Sequence, residues 1–342
     1  MAKKLFALVV AVGMVAGAFL LRARLDEGAA NPGSGGDGDA WVLLCATELA
    51  AACQVLQDAG DAAVRVQDAG ETAAELIAAT TPDQAEGFDA WVVPQPWPQI
   101  VAEARQREGL APLGGTPSQV LARSPLVMVA WSERAVVLED ECGGELHWSC
   151  VGDAAGLPWA DVGGQAAWGP VKPGHAAPST AVGLLVMGAA VADFLGTADY
   201  SAGDLTTDEF RAWFTQLERA VPNFGSAAGS PLQQQLAVGV SAFDIVGTTE
   251  AEAVPLLERA AARRGSLTLY YPDDVVTADV VALPLSRDGD LGGLDNAMTT
   301  ALQQTGWRPA AGTGTPTIPA ESGTPSAGVL QALRTTWAEV VR

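Results

Sequence analysis

The chain has 342 residues, enough for two domains with full cores, because single cores seldom grow past about 250–300 residues. Forty acidic residues against nineteen basic ones give a formal net charge of −21, which repels DNA, RNA and anionic lipid surfaces. Nucleic acid is thereby excluded as a partner; a small solute is not, since a neutral pocket can sit inside an acidic shell.

The N-terminus carries the first specific signal. Lys3 and Lys4 precede an uninterrupted apolar run, Leu5 to Leu21, followed by Arg22 and Arg24. A secretory apolar region is about 7–15 residues long, and a membrane-spanning helix needs about 20, or as few as 17. Residues 1–24 therefore read as a signal peptide or a signal anchor. Ala16-Gly-Ala18 resembles a cleavage site, but Phe19, Leu20 and Leu21 carry the apolar run past it and favour the anchor. No Cys follows closely, so a lipid anchor is not supported. Either way the remainder is expected outside the cytoplasmic membrane, held by the N-terminal helix or secreted. Residues 25–39, polar and rich in Gly, read as a flexible linker.

Four cysteines fall in two close pairs, Cys45 with Cys53 and Cys142 with Cys150. An oxidising compartment favours disulfides, and of the three connectivities the local pairing is the expected one. Zinc is the competing reading, with His147 as an added ligand, but structural zinc sites usually space their ligands more tightly.

From Ala40 a strand–helix alternation begins. Trp41–Cys45 reads as a buried strand, and Ala63–Gln67 and Asp89–Val93 as a second and third strand; Glu48–Leu56, Glu71–Ala79 and Pro98–Arg107 read as the helices between and after them. This pattern specifies a mostly parallel sheet flanked by helices, with ligands bound at the strand-to-helix turns. Those turns carry Thr47-Glu48 and Gln95-Pro-Trp97. Trp97 reads equally as an aromatic wall for a ligand or a lid over the core.

Gln119–Ala130 is apolar but broken by Arg123, Ser124 and Pro125, and predicts two strand pieces joined at a bend where the chain changes domain. Trp131–Leu157 reads as irregular and clamped by the second Cys pair. Gly163–Trp168 predicts a short strand, followed by a Pro/Gly loop containing His175 and a helix capped by Ser179 with Leu184, Met187, Val191 and Phe194 at helical spacing. A capped helix start presents unpaired N–H groups and the positive end of the helix dipole, so it can hold a carboxylate, an oxyanion or a hydroxyl. Helices are further predicted at Thr207–Ala220, Pro231–Gly239, Glu250–Arg263 and Leu294–Thr305, with an amphipathic final helix through Val329, Leu333, Trp337 and Val340. Strands are predicted before Thr248-Thr249, at Leu267–Tyr271 and at Asp279–Leu285.

Four stretches in this order resemble the type II periplasmic (extracellular) solute-binding proteins: Leu121-Ala-Arg-Ser-Pro-Leu-Val-Met-Val-Ala130, Ala177-Pro-Ser-Thr-Ala-Val-Gly-Leu184, Phe243-Asp-Ile-Val-Gly-Thr-Thr-Glu250 and Ala301-Leu-Gln-Gln-Thr-Gly-Trp-Arg-Pro309. The resemblance implies the α/β two-lobe fold of that family, with two crossing segments and a solute closed into the cleft. Lobe one would be residues 40–123 plus 265–342, and lobe two residues 124–264. The ligand would meet Thr47, Gln95, Trp97, Ser124, Ser179, Thr180, Thr249 and Tyr270. The expected partners are a small-molecule solute and an ABC-type permease or other membrane protein. Glu48, in the first turn, departs from the oxyanion-binding pattern and suits a cationic, zwitterionic or neutral solute.

Two rivals stand beside this reading. An exported hydrolase needs a base within reach of its nucleophile, and the only histidines are His147 and His175. The nearest thing to a nucleophile elbow, Gly239-Val-Ser-Ala-Phe243, lacks the second Gly. His175, in a Pro/Gly loop, reads as solvated. The other rival is an anchored two-lobe interaction protein that takes no ligand. No catalytic residue, metal or cofactor is assigned.

Overall fold

Trp41–Ala46 (β1) is continuously apolar, and its last four residues are buried, as befits a strand covered on both faces. It belongs to a computed structural model that describes residues 40–79, 87–222, 229–260, 266–272, 275–285, 291, 293–311, 317 and 323–341. The apolar N-terminal run and its linker lie outside the described residues. Among those described, no helix is long and apolar enough to cross a membrane.

A 3₁₀ turn, Thr47–Leu49, leads from β1 into α1, Ala50–Ala59. Gly60, at φ 81°, ends that helix in the left-handed conformation that favours glycine. Then follow β2 (Ala62–Gln67), α2 (Ala69–Ala78), β3 (Ala90–Pro94) and α3 (Trp97–Arg107). β1 pairs in parallel with both β2 and β3, as the alternation predicts.

The expected pair of strand pieces at Gln119–Ala130 is one strand, β4 (Ala122–Trp131). It changes partner instead of breaking. Ala122–Pro125 pair antiparallel with β8 (Thr277–Pro284), and Leu126–Ala130 pair antiparallel with β6 (Ile245–Thr249). Pro125, without an N–H to donate, sits at the changeover, where one ladder ends and the other begins. β7 (Leu267–Tyr270) and β9 (Arg308–Pro309) also pair with β4, and β5 (Pro173–Gly174) lies parallel to β6. The strand order is β2-β1-β3-β8-β4-β6-β5. Among the described residues, parallel pairing is confined to β1–β2, β1–β3 and β5–β6; β8 and β4 run antiparallel to each other through the middle. β4 carries the chain from the first sheet to the second, and the segment between β7 and β8 carries it back.

The interval expected to be irregular is largely helical: α4 (Ser132–Glu141) and α5 (Trp148–Ala154). Leu138, Trp148 and Val151 bury their side chains, and Cys142–Cys150 ties the end of one helix to the other. The expected strand before Trp168 is a 3₁₀ turn, Ala166–Trp168, in which Trp168 packs edge-on against Trp159 at 5.2 Å. The Arg134 guanidinium lies over both rings and pairs with fully buried Asp244, which also accepts from Trp159 Nε1 at 3.1 Å.

The remaining helices are α6 (Ala181–Leu195), α7 (Asp208–Ala220), α8 (Pro231–Val238), α9 (Glu250–Arg259), α10 (Leu294–Gln304) and α11 (Ala327–Val340). α6 is apolar almost all round and correspondingly buried. α11 packs against α3 from the first-sheet side and against α6 and α7 from the second.

Candidate functional site

Three turns predicted to face a ligand converge on one cavity of about 670 Å³: Thr47-Glu48 after β1, Ser179-Thr180 at the start of α6, and Thr248-Thr249 at the start of α9. Small-molecule sites commonly occupy about 300–1,000 Å³. Asp68, at the end of β2, joins them as a fourth strand-to-helix turn. The rule that points to the other three turns applies equally to this one.

Of the eight predicted contacts, Thr47, Ser179, Thr180 and Thr249 line this cavity; Gln95, Trp97, Ser124 and Tyr270 do not. Gln95 has an exposed side chain, while its N–H donates to the Asp279 carbonyl at 2.7 Å. Trp97 is fully buried with the Arg334 guanidinium 4.8 Å above its ring, so it is core and no wall. Tyr270 faces a separate cavity of about 1150 Å³ beside Glu139 and His147. Ser124 is spent inside the fold: its hydroxyl accepts the Ala251 N–H at 2.9 Å.

The start of α6 explains the Pro-Ser-Thr-x-x-Gly pattern physically. The cap is Thr180, one residue later than expected: its Oγ1 accepts the Gly183 N–H at 3.0 Å. A Cβ on Gly183 would stand 2.2 Å from the Ala177 carbonyl oxygen, so only glycine fits under this turn. Ser179 faces across the cavity. Its carbonyl accepts the Gly70 N–H at 2.7 Å and its hydroxyl lies 3.4 Å from Asp68 Oδ2. Glu48 reaches the same helix start, its Oε1 accepting the Val182 N–H at 2.8 Å.

At the start of α9, Thr249 accepts the Glu252 N–H at 3.3 Å, and the Thr248 hydroxyl donates to the Glu252 carboxylate. Glu250 turns the other way, pairing with Arg308 and accepting from the Tyr271 hydroxyl at 2.6 Å. Two of the motifs that carry the family resemblance, ending at Glu250 and Pro309, thus meet in one ion pair.

His175 lines the cavity but is not solvated: it is 3 % exposed. Nδ1 faces the Ala176 carbonyl at 2.8 Å and Nε2 faces Glu218 Oε1 at 3.1 Å. Both partners accept, so the doubly protonated ring satisfies both. Burial alone would lower its pKa, but the Glu218 charge and hydrogen bond and the Ala176 carbonyl carry it above the ordinary imidazole value. Trp337 Nε1 on α11 donates to the other Glu218 oxygen at 2.8 Å. His175 is therefore committed to a structural relay rather than serving Ser179 as a base. His147 likewise caps α5, accepting the Cys150 N–H at 3.4 Å, and both cysteine pairs are disulfides, Cys45–Cys53 and Cys142–Cys150.

Among the described residues, the charged groups on the cavity are Glu48, Asp68 and Glu252, with exposed Arg259 and with His175 held by Glu218. Such a lining offers carboxylates and threonine hydroxyls; it suits binding by hydrogen bonds and positive charge on the guest.

No protein-family model matches the sequence, and no curated protein matches it. Solved structures do match in fold. A periplasmic thiamin-binding protein superposes with a TM-score of 0.55 at 12 % identity, covering 91 % of this chain and 99 % of its own. Apo FutA2 from Synechocystis PCC6803 gives 0.52 at 13 %, covering 89 % and 98 %. The periplasmic binding protein AfuA from Actinobacillus pleuropneumoniae, with fructose-6-phosphate bound, gives 0.51 at 12 %, covering 88 % and 96 %. The chain has the two-lobe α/β fold of the periplasmic solute-binding proteins, as the resemblance implied.

Proposed function

We propose that this chain is an exported solute-binding protein that captures a small solute between two lobes and serves an ABC-type permease or a sensor, and that it is not an enzyme. In this reading lobe one is residues 40–123 plus 265–342 and lobe two residues 124–264, save that β7 (Leu267–Tyr270), which pairs with β4 in the second sheet, goes with lobe two. The observation that carries this reading is the cavity of about 670 Å³ on which strand-to-helix turns from both sheets converge. Thr47, Ser179, Thr180 and Thr249 are its binding residues, joined by Glu48, Asp68 and Glu252. The neighbours in fold are described as binding thiamin and fructose-6-phosphate, small solutes of the kind such a cavity admits. The two disulfides support a location outside the cytoplasm, reached through residues 1–24 as signal peptide or anchor.

A thermal-shift screen of amino acids, sugars, oxyanions and polyamines tests the reading. A solute bound only by the folded form stabilises it by about 2.7 kcal/mol at 100 times its Kd, a rise of several degrees in Tm. A panel that leaves Tm unmoved contradicts it and favours the second reading, a two-lobe interaction protein without a ligand. The direct bonds from Glu48 and Gly70 across to α6 and Ser179 speak for that alternative.

A further inference from the structure

The Glu48 carboxylate accepts a hydrogen bond from Val182, 134 residues away in sequence and on the other side of the cleft. Val182 is the second residue of α6, so its N–H is one of the first four, which have no partner inside the helix. Thr180 takes the Gly183 N–H. A helix start offers an anion these same N–H groups together with the positive end of the dipole. Here the chain supplies the anion itself.

Its neighbours keep Glu48 in place. The Cys45–Cys53 disulfide closes the loop that carries it, and the Thr47 hydroxyl donates to Asp68 at 3.0 Å. The Gly70 N–H to Ser179 carbonyl bond draws the two sides together, and a Cβ on Gly70 would lie 2.9 Å from that oxygen.

We propose that Glu48 is the specificity-determining residue of the cleft: seated on the start of α6, it excludes anionic solutes there and bonds the two sides of the cleft to each other. The proposal rests on the solute-binding reading above and narrows its substrate class to neutral and cationic solutes. A solute carboxylate or phosphate must displace Glu48 and then face both Glu48 and Asp68 as like charges, the repulsive element by which a site rejects a competitor. A neutral or cationic solute leaves the Glu48–Val182 bond intact. Burial raises the Glu48 carboxyl above its usual range, against the pull of the Val182 N–H; the Asp68 charge adds to the rise and the Thr180 hydroxyl opposes it. A Gln side chain keeps an acceptor oxygen for the Val182 N–H, which makes Glu48→Gln the control for Glu48→Ala.

The test uses the full chain, its E48A and E48Q variants, and two readouts. Hydrogen exchange at the Val182 amide is followed without any solute, and inorganic sulfate and phosphate are titrated by calorimetry. The wild type and E48Q should both protect the Val182 amide, and the wild type should take up neither anion saturably. E48A should exchange at Val182 about 10-fold faster or more, as expected for one lost charge-assisted hydrogen bond, and should acquire saturable sulfate or phosphate binding. Unchanged protection in E48A, no anion binding by E48A, or equal anion binding by the wild type each overturns the proposal. A solute screen that finds nothing bears on the binding reading alone, whereas these readouts bear on Glu48.

Discussion

Ala251, at the start of α9, donates its N–H to the Ser124 hydroxyl, which is 1 % exposed; Val182, at the start of α6, donates to a carboxylate carried by a turn whose Thr47 is exposed. Both helix starts need a partner, and both find it outside the helix. The first partner is neutral, dry and part of the crossing strand β4. The second is charged, half-buried and reaches over a cavity. One contact is architecture, the other is exchangeable. The cleft's chemistry should therefore follow changes at Glu48, while its shape should follow changes around Ser124 and Gly183.

The largest effect is expected at the α6 start itself. Gly183→Ala places a methyl group against the Ala177 carbonyl and should cost about 3 kcal/mol in chemical denaturation, with loss of any solute binding. Replacing Cys45 and Cys53 by Ser opens the loop that presents Thr47 and Glu48, at about 2–3 kcal/mol. Ser124→Ala leaves the Ala251 N–H buried and unpaired and should cost about 2 kcal/mol. Glu48→Ala should cost about 1 kcal/mol, less than Ser124→Ala because Glu48 is only half-buried, so the two helix starts separate in a single denaturation series.

The smallest expected effect is a pH slope. His175 has a pKa raised above its unfolded value of about 6.5, so the folded form binds more protons through that window. Its contribution is complete below about pH 6.5 and is lost as pH rises through the folded value. Stability should fall over that interval in the wild type, and His175→Gln should flatten the slope. A wild-type curve that rises there removes the imidazolium–Glu218 pair from the account.

Local patterns were legible in the sequence where local physics governs. β1 and β3 follow from short apolar runs, and β2 from its place in the strand–helix alternation. The Pro-Ser-Thr-x-x-Gly motif located a helix start to within one residue, Thr180 taking the role expected of Ser179. What failed depends on partners distant in sequence. Pro125 signals a break, yet β4 runs through it because the ladder changes hands there. α4 and α5 have little apolar periodicity of their own and form against a core that includes α7 and Trp213, whose Nε1 donates to the Ser149 carbonyl at 3.0 Å. His175 read as a loop residue because Glu218 and Trp337 lie 43 and 162 positions further on. Half of the predicted contacts reached the cavity. Ser124 and Trp97 were claimed by the fold instead, and nothing in their own neighbourhoods announces that.

Equilibrium binding to the wild type and to a Thr47→Trp variant tests the account most directly, with whichever solute first moves Tm. Thr47 is exposed on the cavity wall, so the larger ring should fill the space without entering the core. The account predicts saturable one-to-one binding that the substitution abolishes while Tm without solute stays close to wild type. Binding of undiminished affinity in the filled variant would contradict it.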